Sequence, residues 1–366
     1  MKRQLILPTG QSFIAEGFGS NRESIAELVF NTSMVGYPEI LTDPSYTDQM
    51  VIMTYPLIGN YGVMEEDYES RMIGLDALIV AEYNDKPSNF RYTQTLKEVL
   101  EDHDIPALTH IDTRQLTRII RDQGSMLGLI TDTTTTIDEG IHRLNTYMIP
   151  HDQIKKVSCK KKWYSRCANP HYHVVAIDCG IKTNIIRQLN AHHCNVTIVP
   201  YDITSDQLMA LRPDGVFISN GPGDPIDGTP VIDLLHHIQG KVPIFGICMG
   251  HQLIALANGL TTYKLKFGHR GGNHPVKNLL TNKIEITSQN HSYAVRYDGH
   301  DPNILITHIN VLDQTIEGLA IPKDHLFSVQ YHPESAPGPE DSTYLFDHFI
   351  HEMAAMKGKV NHAETY

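Results

Sequence analysis

The chain has 366 residues, 41% hydrophobic and 20% charged, with a formal net charge of −12 at pH 7. This length favours two domains over one, and the composition is that of a soluble globular protein. The acidic balance argues against a general nucleic-acid binder. No apolar run approaches a membrane span, and the run after Lys2-Arg3 is too short for a signal peptide, so the chain is expected in the cytoplasm. The five cysteines, at 159, 167, 179, 194 and 248, are odd in number and irregularly spaced. They suggest neither a disulfide framework nor a paired C-x-x-C zinc site, and free thiols fit a reducing compartment. Histidine pairs such as His192-His193 and His236-His237 occupy adjacent helical positions, which do not face each other, so no metal site is expected.

Residues 5–17 alternate weakly around Pro8-Thr9-Gly10 and predict a hairpin. Residues 30–46 are dense in small, polar and turn-forming types, and a surface binding role suits them as well as ordinary turns. Residues 50–55 and 75–81 read as strands, and 95–101 as a short helix. Residues 111–121 predict a helix capped by Asp112 or Thr113, with positions 116, 119 and 120 on one apolar face. The segment 151–171 gathers Lys155, Lys156, Lys160, Lys161, Lys162 and Arg166 without periodicity, and reads as the connection between a domain 1–150 and a domain 172–358.

Beyond it, strands alternate with helices: 174–178, 196–200, 215–219 and 243–247 against 181–191, 205–211 and 229–239. Such units predict an α/β domain with a parallel-rich sheet flanked by helices. Ligands gather at the carboxyl ends of its strands, where Asp178, the 219–223 stretch and Cys248 fall. Strand character returns at 284–288, 304–310, 315–320 and 326–330. A helix at 341–356 closes the domain, and residues 359–366 read as a loose tail.

Cys248 carries the chemistry. It follows a short apolar run, precedes a helix-forming one, and has Gly246 and Gly250 two residues to either side. This is the strand–turn–helix pattern of a nucleophile elbow with Cys for Ser; a buried structural cysteine is the plainer alternative. A cysteine nucleophile needs a base, and the base an orienter. His332 and Glu334 are two apart at a strand end, so in an extended segment they project to one side. The carboxylate can then hold the imidazole and leave its other nitrogen for the sulfur. The Met249 N–H and the Gly221–Gly223 loop are candidate donors for an oxyanion. No G-x-x-x-x-G-K-[ST] loop is present, so no nucleotide cofactor is expected in this chain.

Three motifs together, Ser219-Asn220-Gly221-Pro222-Gly223-Asp224-Pro225, Phe245-Gly246-Ile247-Cys248-Met249-Gly250-His251-Gln252 and His332-Pro333-Glu334, resemble the triad-type (class I) glutamine amidotransferases over residues 172–357. The stretches 30–37, 41–46, 54–60, 87–91, Asp112-Thr113-Arg114 and 266–276 resemble the small chains of carbamoyl-phosphate synthases, so the likeness spans nearly the whole chain. It implies a flavodoxin-like amidotransferase domain behind a mixed α+β N-terminal domain. It implies hydrolysis of L-glutamine to glutamate and ammonia, with Cys248 as nucleophile, His332 as base and Glu334 as orienter. By position, glutamine contacts fall on Ser45, Gly221, Gly223, Met249, Gln252, Asn290, Ser292 and Tyr293. The ammonia would pass to a large chain that uses ATP, magnesium and bicarbonate to make carbamoyl phosphate for arginine or pyrimidine synthesis. Ser292 replaces a glycine usual in the family, which a left-handed backbone would make costly; Tyr293 keeps the ring of the family's Phe. A non-catalytic homologue and a stand-alone cysteine amidohydrolase are the other classes the fold admits.

Overall fold

Leu5 faces Phe13 across the hairpin that the first residues predict, β1 (Lys2–Ile6) with β2 (Ser12–Gly19). The computed structural model describes residues 1–299 and 301–363. The chain falls into two units: Met1–His151 with Lys266–Gly271, and Asp152–Leu265 with the chain from Gly272 onward.

In the first unit, β3 (Ser24–Asn31), β4 (Gln49–Met53), β6 (Ala77–Ile79), β8 (Pro106–Thr109) and β9 (Met126–Asp132) join the hairpin in a closed barrel, ordered β1-β2-β8-β6-β4-β3-β9. A two-residue pair, β5 (Leu57–Ile58) with β7 (Glu82–Tyr83), lies apart from it. Alternate residues serve two apolar clusters. Met50 and Ile52 pack with Leu5, Leu28, Ile79 and Leu108, whereas Val51 and Met53 pack with Ile40, Leu78 and Val99. Burial on both faces explains why these strands read as continuous apolar runs. The helices are α1 (Tyr37–Thr42), α2 (Leu96–Asp102), α3 (Thr113–Gln123) and α4 (Ile137–Thr146). Thr95 and Glu98 form a capping box on α2, and Asp112 caps α3 by accepting the Gln115 N–H. The turn-rich 30–46 segment thus holds α1, started by a left-handed Gly36 and Pro38.

In the second unit, residues expected as a connection are folded. α5 (Gln153–Val157) buries Gln153 and Ile154, and β10 (Trp163–Ser165) pairs antiparallel with β12 (Cys194–Pro200). Gln153, Ile154 and Ser158 are buried and anchor the segment, while its lysines and Arg166 are exposed and dominate its composition. β11 (Tyr172–Asp178), α6 (Thr183–Ala191), α7 (Ser205–Ala210), β13 (Gly215–Ile218), α8 (Thr229–Ile238), β14 (Ile244–Ile247) and α9 (Met249–Ala257) follow. Then come β15 (Thr261–Asn278), β16 (Lys283–Arg296), β17 (Leu305–Asn310), β18 (Ile316–Ile321), β19 (Leu326–Val329) and α10 (Tyr344–Ala363). The ten-stranded sheet runs β10-β12-β11-β13-β14-β19-β18-β16-β15-β17, with β12 to β19 parallel. Helices α8 and α9 cover one face through Leu235, Leu253 and Ile254; α6 and α10 cover the other through Ile185, Leu189, Phe346 and Phe349.

α10 takes in residues 359–363, expected as loose tail, because no proline follows Gly358 to stop it; residues 364–366 of that expectation lie outside the described residues. Among the described residues no helix is long and apolar enough to cross a membrane.

Candidate active site

Three neighbouring parallel strands, β13, β14 and β19, end together: Ile218 pairs with Gly246, and Ile247 with Val329. The residues that follow each strand are therefore delivered to one edge of the sheet. After β14 comes Cys248, with φ 54° and ψ −102°, then α9 without a gap. A left-handed φ in a residue with a Cβ costs on the order of 1–3 kcal/mol. It is maintained here by the Cys248 N–H donating to Val329 O at 2.9 Å and by Gln252 N–H closing the first helical turn on Cys248 O. The glycines make the bend possible. A Cβ on Gly246 would lie 2.5 Å from Ile254 Cδ1, and one on Gly250 would lie 2.2 Å from the Ile218 carbonyl oxygen. Gly250→Ala must displace backbone, so a loss of about 1–3 kcal/mol or more is expected. Urea unfolding should show it as a lower midpoint at unchanged slope.

Cys248 is 2% exposed, and its thiol donates to the Asn290 carbonyl on β16 at 3.5 Å. After β19, the His332 N–H donates to Ser288 O at 2.9 Å, a bridge to β16 that keeps the segment extended. His332 Nδ1 and Glu334 Oε1 then meet at 2.7 Å, both side chains buried. A carboxylate only accepts, so Nδ1 donates and Nε2 is left for the sulfur. Burial alone would push the His332 pKa down; the Glu334 carboxylate and the neighbouring Cys248 sulfur outweigh it and hold it up at about 10. The imidazole is thus a strong base placed beside a thiol. His251, nearer in sequence, plays no such part. Its Nδ1 is bound to Ser328 Oγ at 2.9 Å, and burial, with His308 nearby, pushes its pKa down to about 3.

Lys182 completes the cluster and is not marked by the sequence patterns. It stands at the N-terminus of α6, beyond β11, where the strand order reverses between β11 and β13. Its ammonium, 3% exposed, donates to Glu334 Oε1 at 3.0 Å, Ser335 O at 2.9 Å and Ala336 O at 3.0 Å. Three donors meet three acceptors, which is what a buried ammonium requires. Burial raises the Glu334 pKa, but Lys182 and His332 prevail and take it down to about 2.

The other expected residues fall as follows. Gly221 needs its hydrogen: a Cβ would lie 2.2 Å from Cys179 O. Gly223 has φ +88°, a left-handed bend in the loop after β13. Met249 opens α9, with its N–H at a helix N-terminus. Gln252 Nε2 donates to Tyr293 O at 2.9 Å and Gln330 Oε1 at 3.0 Å, tying α9 to β16 and to the residue that follows β19. Ser292 lies in β16 and is not among the left-handed residues, so serine carries no backbone penalty there. Ser45 belongs to the first unit, buried in a short turn where its N–H donates to Asp43 Oδ1 at 2.9 Å.

The second unit is a class I glutamine amidotransferase domain, and the family model Glutamine amidotransferase class-I matches residues 175–352. Another, Carbamoyl-phosphate synthase small chain, CPSase domain, matches residues 5–130. A carbamoyl phosphate synthase small chain from Listeria monocytogenes serotype 4b is 47% identical over 359 residues, 98% of each chain. One from Staphylococcus epidermidis (strain RP62A) has the same identity and coverage, and one from Fusobacterium nucleatum is 48% identical over 95% of this chain and 97% of its own. The chain belongs to the carbamoyl phosphate synthase small chain family.

Proposed function

We propose that this chain is the glutaminase subunit of carbamoyl-phosphate synthase. The reading is carried by Cys248, held in a left-handed turn beside the His332–Glu334–Lys182 chain of buried contacts. His332 takes the thiol proton as the sulfur attacks the side-chain amide carbon of glutamine. The Met249 N–H and an N–H of the Gly221–Gly223 loop stabilise the oxyanion. His332 returns the proton to the leaving nitrogen, which departs as ammonia and leaves a thioester. Water, deprotonated by His332, then attacks the thioester and releases glutamate. Gln252, Asn290, Ser292 and Tyr293 contact the glutamine backbone and side chain, and the reaction in this chain calls for no metal or nucleotide. The ammonia is channelled to a large chain, where ATP, magnesium and bicarbonate yield carbamoyl phosphate for arginine or pyrimidine synthesis.

The test is co-expression with a carbamoyl-phosphate synthase large chain. The two should co-purify, and the complex should hydrolyse glutamine at least about tenfold faster than this chain alone, a barrier change of about 1.4 kcal/mol. Fast hydrolysis by the isolated chain without stimulation would favour a stand-alone amidohydrolase.

A further inference from the structure

Between Val329, where β19 ends, and Tyr344, where α10 begins, the chain forms neither helix nor strand, yet it carries the base and its orienter. The first half of β16 laces it down. The Ile286 N–H donates to Asp341 Oδ2 at 3.0 Å, and the Glu285 carboxylate accepts Ser342 Oγ at 2.8 Å and the Tyr344 hydroxyl at 2.9 Å. Ser288, 9% exposed, makes the ties nearest the chemistry. Its carbonyl accepts the His332 N–H at 2.9 Å, and its hydroxyl donates to the Pro337 carbonyl at 2.8 Å. One residue thus grips the loop before Glu334 and again after Ala336. Gly338 passes so close that a Cβ there would lie 2.7 Å from Ser288 Cβ.

What lies between the two grips is strained. Ser335 and Ala336 have φ of 64° and 58°, left-handed values that residues with a Cβ adopt only at a cost. In this conformation both carbonyls meet Lys182 Nζ, at 2.9 and 3.0 Å, and Lys182 in turn binds Glu334 at 3.0 Å. Such a turn persists only where its surroundings over-determine it. Lys182 binds it on one side, and the Ser288 hydroxyl fixes its exit on the other. We infer that Ser288 is a positioning residue for the base: by fixing both ends of the His332–Pro337 loop it keeps Lys182 and Glu334 set against His332. The consequence for turnover rests on the glutaminase reading above; the consequence for the loop does not. Without the hydroxyl, Ser335 and Ala336 relax toward ordinary φ and their carbonyls leave the ammonium. The charged groups facing Glu334 are Lys182 from α6 and His332, with the Cys248 sulfur beyond His332. A loosened Lys182 leaves Glu334 easier to protonate as the pH falls.

Ser288→Ala removes one oxygen and leaves the backbone bond to His332 in place. Hydrogen–deuterium exchange on the full chain reads the loop directly. In the wild type the amides of Glu334, Ser335 and Ala336 should be protected. In Ser288→Ala they should exchange about tenfold faster, with α9 unchanged. In the complex with the large chain, kcat for glutamine hydrolysis should fall about tenfold while KM stays within about twofold, and the loss should widen as the pH falls from about 8 to about 5. Rapid exchange of the loop in the wild type overturns the inference, and that measurement decides even if the variant fails to fold. Unchanged exchange in the variant overturns it too, as does a rise in KM at constant kcat. A wild-type complex without glutaminase activity would sink the functional reading and leave the exchange result standing.

Discussion

Cys248→Ser is expected to abolish glutamine-dependent carbamoyl phosphate synthesis, by a factor of about 10⁴ or more, and to leave ammonia-dependent synthesis by the complex within about twofold of wild type. The substitution exchanges one buried atom. The backbone bend at φ 54° is held by the Val329 carbonyl, Gln252 N–H and the two flanking glycines, none of which it touches. What is lost is nucleophilicity: a hydroxyl gives up its proton far less readily than a thiol, even to an imidazole whose pKa stands near 10. Two assays separate the outcomes. Glutamine hydrolysis should vanish together with the covalent adduct seen by mass spectrometry after quenching, while synthesis with added ammonium salt proceeds. Glutamine turnover at the wild-type rate would remove Cys248 from the chemistry. Loss of the ammonia-dependent reaction would mean that the cysteine supports the fold or the complex.

The parts of this site that were legible in the sequence are those set by short spacings. Gly246, Cys248 and Gly250 announce a bend because two missing side chains permit the contacts with Ile254 and Ile218. His332 and Glu334 meet because residues two apart in an extended segment share a side, and the bridge to Ser288 keeps the segment extended. The alternating strands and helices from 172 to 257 were legible for the same local reason. Lys182 was not, since it lies 152 positions from Glu334 and nothing local marks which lysine will be buried. Nor was the barrel: closing it pairs β1 with β9 and β2 with β8, partners over 80 residues apart, and short strands such as Pro106–Thr109 carry too few residues to show a period. The long strand β15 was not read at all, because Gly271, Gly272 and Pro275 interrupt its pattern, and β16 was read only over 284–288, before its run of polar residues.

Lys182→Met should also damage the site severely, although Lys182 lies two contacts from the sulfur. It removes the ammonium and keeps a flexible apolar stem of similar length, so the main effect is electrostatic. Glu334 is left buried against His332, without the ammonium, and the carbonyls of Ser335 and Ala336 lose their shared donor. Breaking a buried pair of this kind costs about 3–5 kcal/mol. The pH dependence identifies the cause. In the wild type, Glu334 is depressed from its ordinary 4.5 to about 2, burial opposing and Lys182 and His332 prevailing. A depressed carboxylate contributes stability that is full above its ordinary value and is lost as the pH falls toward the folded one. Without Lys182, burial dominates, Glu334 moves upward and that contribution disappears. Urea unfolding should therefore show the largest deficit near pH 7.5, narrowing as the pH falls through 4 toward 3. Glutaminase activity should fall about 10²-fold or more, because a protonated Glu334 no longer orients His332 or supports its charge. A deficit that stays constant with pH would mean that Lys182 acts by packing alone. An intact glutaminase with a normal His332 titration would mean that Glu334 does not need the ammonium to hold its charge.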